Sequence, residues 1–348
     1  MRKLTISNFE ISDSSQAFVI AEIGHNHQGN LETAKKMIRS AKEAGASAVK
    51  LQKRSNKSLF TTAFFNRTYN GENSFGRTYG EHREKLEFNQ QQYLELKQYS
   101  KELGVIFFAT AFDCESVDFL VEIGVPALKV ASGDLTNIPL LRYMAETRLP
   151  LIISTGGASL GDVSRVVDEL QNLNVQFSLL QCTAGYPPKW EEINLRVIST
   201  FKSMFPGTVV GFSSHDNGIA MAAAAYALGA RIVEKHFTLD RTMRGTDHAF
   251  SLEPQGFKKM IRDLNRLHLA LGDGVKKPYE SEAGPLEKMS KKIVLSRSLE
   301  AHHLLDVSCF DFKSPGDGLK PWQANELIGK RLKYAMEVET AVSLDDVY

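Results

Sequence analysis

The sequence predicts an α/β fold: a (β/α)8 barrel followed by a small, mostly-β module. Three observations lead there. Short runs rich in β-branched and apolar residues recur eight times along the first three quarters of the chain, each followed by a helix-like amphipathic stretch. Most of these runs are nearly continuously apolar rather than alternating, the pattern of parallel strands buried on both faces. An open doubly wound sheet usually carries fewer strands at this length.

The runs are 17–24 (AFVIAEIG), 47–52 (SAVKLQ), 104–110 (GVIFFAT), 127–133 (ALKVASG), 150–156 (PLIISTG), 177–183 (FSLLQCT), 208–215 (TVVGFSSH) and 231–237 (RIVEKHF). Between the first two, Leu31, Ala34, Met37, Ile38 and Ala41 fall at helical spacing, and Gly45 stops that helix before the next strand. The one irregular connection is the stretch from Lys53 to Phe88, rich in Asn, Gly, Arg and aromatics, and a loop of that length is more often functional than structural. These units define a barrel over residues 1–272. Residues 273–290 are charged, contain Gly and Pro, and read as a linker; residues 291–348 alternate like short strands around turns, with one short helix from Pro321 to Ile328. A module of that size is too small to host much chemistry alone.

Composition sets further bounds. At 348 residues, 43% hydrophobic and 24% charged, the chain is neither disordered, collagen-like nor a disulfide miniprotein. Lys and Arg total 42 against 41 Asp and Glu, a net charge of +1, so no long-range field draws nucleic acid or an anionic membrane, and any anionic ligand must be held by locally placed cations. Cys114, Cys182 and Cys309 lie far apart without CxxC spacing, which fits a reducing cytoplasm better than a disulfide framework or a thiolate zinc site. The N-terminal residues lack the apolar segment of a signal peptide, and no apolar run approaches ~20 residues.

In such a barrel the active site forms at the C-terminal ends of the strands, and here those ends are chemically loaded. In strand order they carry Glu22, Lys50 with Gln52, Thr110, Lys129 with Ser132 and Asp134, Ser154, Thr183 with Tyr186, Ser213 with His215, and Glu234 with His236. Two lysines aimed into one mouth repel each other and lose hydration unless an anion fills the space, so Lys50 and Lys129 point to a bound phosphate or carboxylate, with Thr110, Ser132, Ser154 and Ser213 as neutral donors. The competing reading is that Lys50 snorkels to solvent and the serines cap helices. His215 and His236 end adjacent strands ~4.8 Å apart, close enough to share a divalent cation such as Mn²⁺, Mg²⁺ or Zn²⁺; the alternative makes one a general acid/base or a hydrogen-bonded core residue. His82, His268, His302 and His303 fall on expected helix or tail surfaces. Past strand eight, Asp240, Arg241, Arg244, Asp247 and His248 form a polar segment suited either to a hydroxyl-rich ligand or to solvent. The YPP at Tyr186 stiffens its loop, to present the phenol to a ligand or to pack it.

The strings AEIGHNHQGNLETAKKMI, AVKLQ, LKVASGDLTNIPLL, IISTGG, LLQCTAGYPP, GFSSHD and VEKHFTLDRTMRGTDHAFSLEP, followed by KSPGDGL and ELIGKRL, together resemble the N-acetylneuraminate (sialic acid) synthase family over nearly the whole chain. The relatives of that family include legionaminic and pseudaminic acid synthases and spore-coat polysaccharide proteins. The resemblance implies condensation of phosphoenolpyruvate with an open-chain N-acylated hexosamine such as N-acetylmannosamine, a divalent metal cofactor (Mn²⁺ or Mg²⁺), a C-terminal antifreeze-like SAF domain, and a domain-swapped homodimer acting on small molecules rather than on nucleic acid or membrane. It places phosphoenolpyruvate on Lys50, Thr110, Lys129, Ser132, Ser154 and Ser213, the metal on His215 and His236, and an acid/base or charge-stabilising role on Glu22. Gln52, Asn73, Asp134, Tyr186 and Asp247 match positions lining the sugar site. Two departures stand out: Ser314 replaces an Arg that in many bacterial members reaches across the dimer to the sugar's acyl group, and Ala184 replaces an Asn. The alternatives are a phosphoenolpyruvate condensation onto a sugar phosphate, for which Arg241 and Arg244 are the available cations, and a non-catalytic scaffold in polysaccharide assembly.

Overall fold

The computed structural model describes residues 2–348, and the chain divides into two compact units, residues 1–272 and 273–348. The first opens with an antiparallel hairpin, β1 (Lys3–Ile6) and β2 (Phe9–Ser12). The sequence reading passed over this hairpin: its strands are four residues each, and only Leu4, Ile6 and Ile11 mark a buried side.

Eight parallel strands then close a barrel: β3 (Phe18–Gly24), β4 (Ala48–Lys53), β5 (Ile106–Ala111), β6 (Leu128–Val130), β7 (Leu151–Ser154), β8 (Phe177–Cys182), β9 (Val209–Ser214) and β10 (Ile232–His236), with β10 pairing back onto β3. Every expected strand is present, and all but the first residue of β5 and the last two of β4 are buried. The helices follow the same logic. In α1 (Leu31–Glu43) the side chain of Asn30 caps the N-terminus, Ala34, Met37, Ile38 and Ala41 are buried, and Gly45 takes the positive φ that ends the turn.

The Lys53–Phe88 connection is not a featureless loop. It folds into α2 (Asn56–Leu59), α3 (Thr62–Phe65) and α4 (Tyr79–Leu86). Within it His82 is buried, accepting the Phe75 N–H at 3.1 Å and packing against Tyr69, contrary to the surface position its helix implied. Outer helices α5 (Gln90–Leu103), α6 (Cys114–Ile123), α7 (Ile138–Glu146), α8 (Leu160–Asn172), α9 (Val197–Met204), α10 (Ala220–Ala227) and α11 (Pro254–Ala270) complete the unit.

In the second unit, the stretch read as a linker contains a 3-10 turn and a short helix, α12 (Ala283–Met289). Beyond it β11 (Lys292–Leu295) pairs antiparallel with β12 (Phe310–Lys313), and α13 (Ala324–Leu327) lies inside the expected helix. Ile293, Leu295, Leu305, Leu327 and Leu332 form its own small core. No helix among the described residues is long and apolar enough to cross a membrane.

Candidate active site

The C-terminal rim of the barrel opens into a cavity of about 670 Å³. Strand register explains which side chains meet there, because residues level on neighbouring parallel strands point to the same side. His236 is level with Glu22, Glu22 with Lys50, Thr110 with Lys129, and Ser213 with Glu234. All seven residues are buried.

The floor of the cavity is a charge network. Lys50 Nζ lies 2.6 Å from Glu22 Oε2 and 3.6 Å from Glu234 Oε1, and donates to Thr110 Oγ1 at 2.8 Å. Lys129 Nζ donates to Ser154 Oγ at 2.7 Å and to the Val130 carbonyl at 2.6 Å. With Lys50 only 2% exposed, it does not snorkel to solvent. Burial pushes the Lys129 ammonium down from its ordinary value, and raises the Glu22 carboxyl to about 7, with Glu234 adding to the rise and Lys50 opposing it. Glu22 thus sits near neutrality although a lysine touches it, because desolvation outweighs that one contact. Glu234 Oε2 has no hydrogen-bond partner.

The histidine pair stands on one side. The rings of His215 and His236 are 5.2 Å apart, with Phe250 packed edge-on to both and Tyr186 over His215 at 4.2 Å. The Nδ1 of His215 is 3.0 Å from the Thr183 carbonyl, an acceptor that fixes a proton on that nitrogen. Burial lowers His236 to about 4 despite Asp247, whose Oδ2 is 3.8 Å from Nδ1, and that buried nitrogen has no hydrogen-bond partner. The neutral His236 ring with an orphaned nitrogen, beside a second imidazole oriented by a backbone carbonyl, fits metal ligation. Among the described residues no cluster of three or more His, Cys, Asp or Glu is arranged for a metal. The pair therefore suits an oxygen-preferring cation completed by substrate and water, not a closed tetrahedral zinc centre.

The remaining residues singled out from sequence divide. Gln52 donates to Glu22 Oε1 at 2.7 Å, Ser132 accepts the Gly156 N–H at 3.0 Å, and both line the cavity with Asp134, Tyr186, Asp247 and Ala184. Asn73 is not on the cavity wall; its Oδ1 accepts the Gly245 N–H at 3.0 Å, two residues before Asp247. Sequence reasoning missed Arg54, Arg83 and Phe60, which also line the cavity. Arg54 had a signal, since it continues the inward alternation of Lys50 and Gln52; Arg83, on α4 in the long connection, had none.

Comparison with known proteins finds relatives that match most of the chain. The NeuB family profile matches residues 37–276. The chain is 40% identical to the human N-acetylneuraminate-9-phosphate synthase over 93% of this chain and 91% of that protein. It is 33% identical to the N,N'-diacetyllegionaminic acid synthase of Legionella pneumophila over 94% of each. The crystal structure of an N-acetylneuraminic acid synthetase from Leptospira borgpetersenii, in complex with citrate, superposes with a TM-score of 0.72 at 35% identity, over 82% of this chain and 95% of that one.

Proposed function

The chain belongs to the NeuB family, and from that membership and the barrel mouth we infer that it is a nonulosonate synthase condensing phosphoenolpyruvate with an open-chain N-acylated hexosamine. The observation that carries the reading is the pair of buried lysines, Lys50 and Lys129, facing one cavity beside two adjacent imidazoles and a carboxyl poised near neutrality.

Lys50, Lys129, Thr110, Ser132, Ser154 and Ser213 bind the phosphate and carboxylate of phosphoenolpyruvate. The incoming anion competes with Glu22 for the Lys50 ammonium and so releases Glu22 to face the reacting carbons. Carbon 3 of phosphoenolpyruvate attacks the sugar aldehyde, forming the C–C bond as its double bond to C2 is spent; positive charge develops at C2, and the alkoxide left at the aldehyde oxygen becomes a hydroxyl by taking the proton that the added water gives up through Glu22. The ionised Glu22 stabilises that charge and takes a proton from the water adding at C2. The tetrahedral carbon then expels phosphate by C–O cleavage, leaving a 2-keto acid. His215 and His236 would hold a divalent cation, Mn²⁺ or Mg²⁺, which when bound would supply Lewis acidity to the aldehyde. Gln52, Asp134, Tyr186 and Asp247 contact the sugar, and Asn73 steadies the loop that carries Asp247.

The second unit is the SAF module, and in a homodimer it completes the partner's site; Ser314, whose Oγ receives the Lys291 ammonium at 2.7 Å, replaces a charged contact to the acyl group with a neutral one. Three free thiols fit a cytoplasmic setting.

The test is phosphate release from phosphoenolpyruvate with a panel of acceptors: N-acetylmannosamine, a 2,4-diacetamido-6-deoxy sugar and arabinose 5-phosphate, each with and without Mn²⁺ or Mg²⁺. Release requiring both an N-acyl sugar and the metal supports the reading. Turnover with the pentose phosphate alone contradicts it.

A further inference from the structure

We propose that Asn26 is a positioning residue for the two imidazoles: from just past the end of β3 it locks the loop that follows β10, and that loop sets the orientation of the His236 ring. The proposal rests on the metal-assisted condensation inferred above and adds the residues that hold its histidine pair in place.

The two rings are fixed by different means. His215 is oriented by a backbone acceptor, the Thr183 carbonyl, 3.0 Å from its Nδ1. His236 has no such partner, since its buried Nδ1 makes no hydrogen bond. Rotation about the Cβ–Cγ bond of a histidine is broad and roughly two-fold, so a ring without a hydrogen bond takes its orientation from the groups packed on it. Two of those groups come from the loop 238–251. The Phe250 ring stands edge-on to His236 with centroids 4.9 Å apart and reaches His215 at 5.9 Å. The Asp247 carboxylate comes within 3.8 Å of His236 Nδ1.

That loop is pinched at its base. The Leu252 N–H donates to the His236 carbonyl at 2.8 Å and the Thr238 N–H to the Leu252 carbonyl at 3.0 Å, so the chain leaves and returns at one point. The Phe237 N–H donates to the Glu22 carbonyl at 2.8 Å, which ties that point to β3. Asn26 closes the arrangement. It is buried, and its amide uses both protons: Nδ2 donates to the Phe237 carbonyl at 2.9 Å and to Ser251 Oγ at 3.0 Å. One side chain thus grips the outgoing and the returning arm together. Ser251 Oγ passes the constraint on by donating to the Asp247 carbonyl, and Phe250 is its neighbour in sequence. The path from Asn26 therefore runs through Ser251 to both groups that bear on His236.

Asn26, Ser251 and Phe250 do not line the cavity, so they act through His236 and Asp247 rather than on a ligand. A separate tie inside the loop, between Thr238 Oγ1 and His248 Nδ1 at 2.7 Å, is independent of Asn26. Removing the Asn26 amide therefore loosens the inner arm and leaves the rest of the loop held. Groups that orient a metal-binding histidine from behind are commonly worth 10–100-fold in metal affinity, because a ligand set held even slightly loosely gives up its preorganisation.

The experiment titrates Mn²⁺ into the protein without phosphoenolpyruvate or sugar, reads free Mn²⁺ by electron paramagnetic resonance, and records a thermal melt of each variant. Asn26→Ala, and Ser251→Ala, which removes one hydroxyl with both of its hydrogen bonds, should each raise the Mn²⁺ Kd about tenfold. Phe250→Leu, which keeps apolar bulk and loses the ring, should move it the same way. In turnover assays, excess Mn²⁺ should return kcat of Asn26→Ala and Ser251→Ala toward wild type. Tyr226→Phe is the stability control: its hydroxyl bonds the Ser15 carbonyl and His268, before the start of β3, so its Kd should stay at the wild-type value however far its melt falls. A Kd within twofold of wild type in folded Asn26→Ala and Ser251→Ala, or one raised as much in Tyr226→Phe, overturns the proposal. An unchanged Kd in Phe250→Leu overturns it too, and decides the matter if Asn26→Ala does not fold. Mn²⁺ binding left intact by His236→Ala overturns the metal assignment and the proposal with it. Weakened Mn²⁺ binding in the variants, with no acceptor turned over by the wild type, supports the proposal and overturns the condensing activity instead.

Discussion

The inner and outer walls of the barrel each bury a lysine, and the difference between the two separates function from structure. Lys50 and Lys235 are both 2% exposed. Lys50 faces the cavity and shares its ammonium between Glu22, Glu234 and Thr110. Lys235 has the opposite parity on β10, between the inward-facing Glu234 and His236, and does not line the cavity. Its ammonium contacts the Asp216 carboxylate at 2.8 Å and Ser214 at 3.2 Å, and Asp216 is itself buried. Neither member of that pair lines the cavity, so a ligand bound there does not meet it, and the outer pair pins the end of β9 against β10. On the inner wall an incoming anion can take the place of Glu22. Burial alone does not mark a functional lysine; a displaceable partner on a cavity wall does.

Changes to the inner wall should therefore cost activity more than stability. The largest effect is expected at the imidazoles: His215→Ala and His236→Ala each lower kcat/KM by on the order of 10³-fold or more, while circular dichroism melts stay close to wild type. Full activity in either variant removes that residue from the metal site. Glu22→Gln comes next, with a loss of about 10²–10⁴-fold and a changed pH profile. Because burial raises the Glu22 carboxyl to about 7, and its ionised form is the active one, wild-type kcat/KM falls as pH drops through 7, well above the usual carboxylate range. That limb disappears in Glu22→Gln; if it persists, Glu22 is not its source.

The same contrast explains what the sequence made legible. The barrel was readable because each strand is an apolar run stopped by Gly, Pro or a polar end, and the inner-wall residues were readable because they occupy those ends. The partnership of Lys50 with Glu22 and Glu234 was not, since it depends on register across three strands. Glu234 was visible as a strand-end carboxylate without any sign of what it faces. Arg83 and the buried His82 were hidden for a different reason. Their segment packs through short helices, two of four residues and one of eight, too brief for periodicity to reveal a buried face.

The central claim is tested most directly by phosphoenolpyruvate binding to Lys50→Met, Lys129→Met and Lys235→Met, measured by calorimetry beside urea unfolding of each variant. The inner-wall variants should bind about 10²-fold more weakly, and in Lys50→Met a proton taken up by Glu22 limits the loss of stability. Lys235→Met should bind within about twofold of wild type yet be less stable by about 3–5 kcal/mol, because it leaves Asp216 buried without its partner. Unchanged binding in both inner-wall variants, or weakening in Lys235→Met as large as in Lys50→Met, would contradict the account.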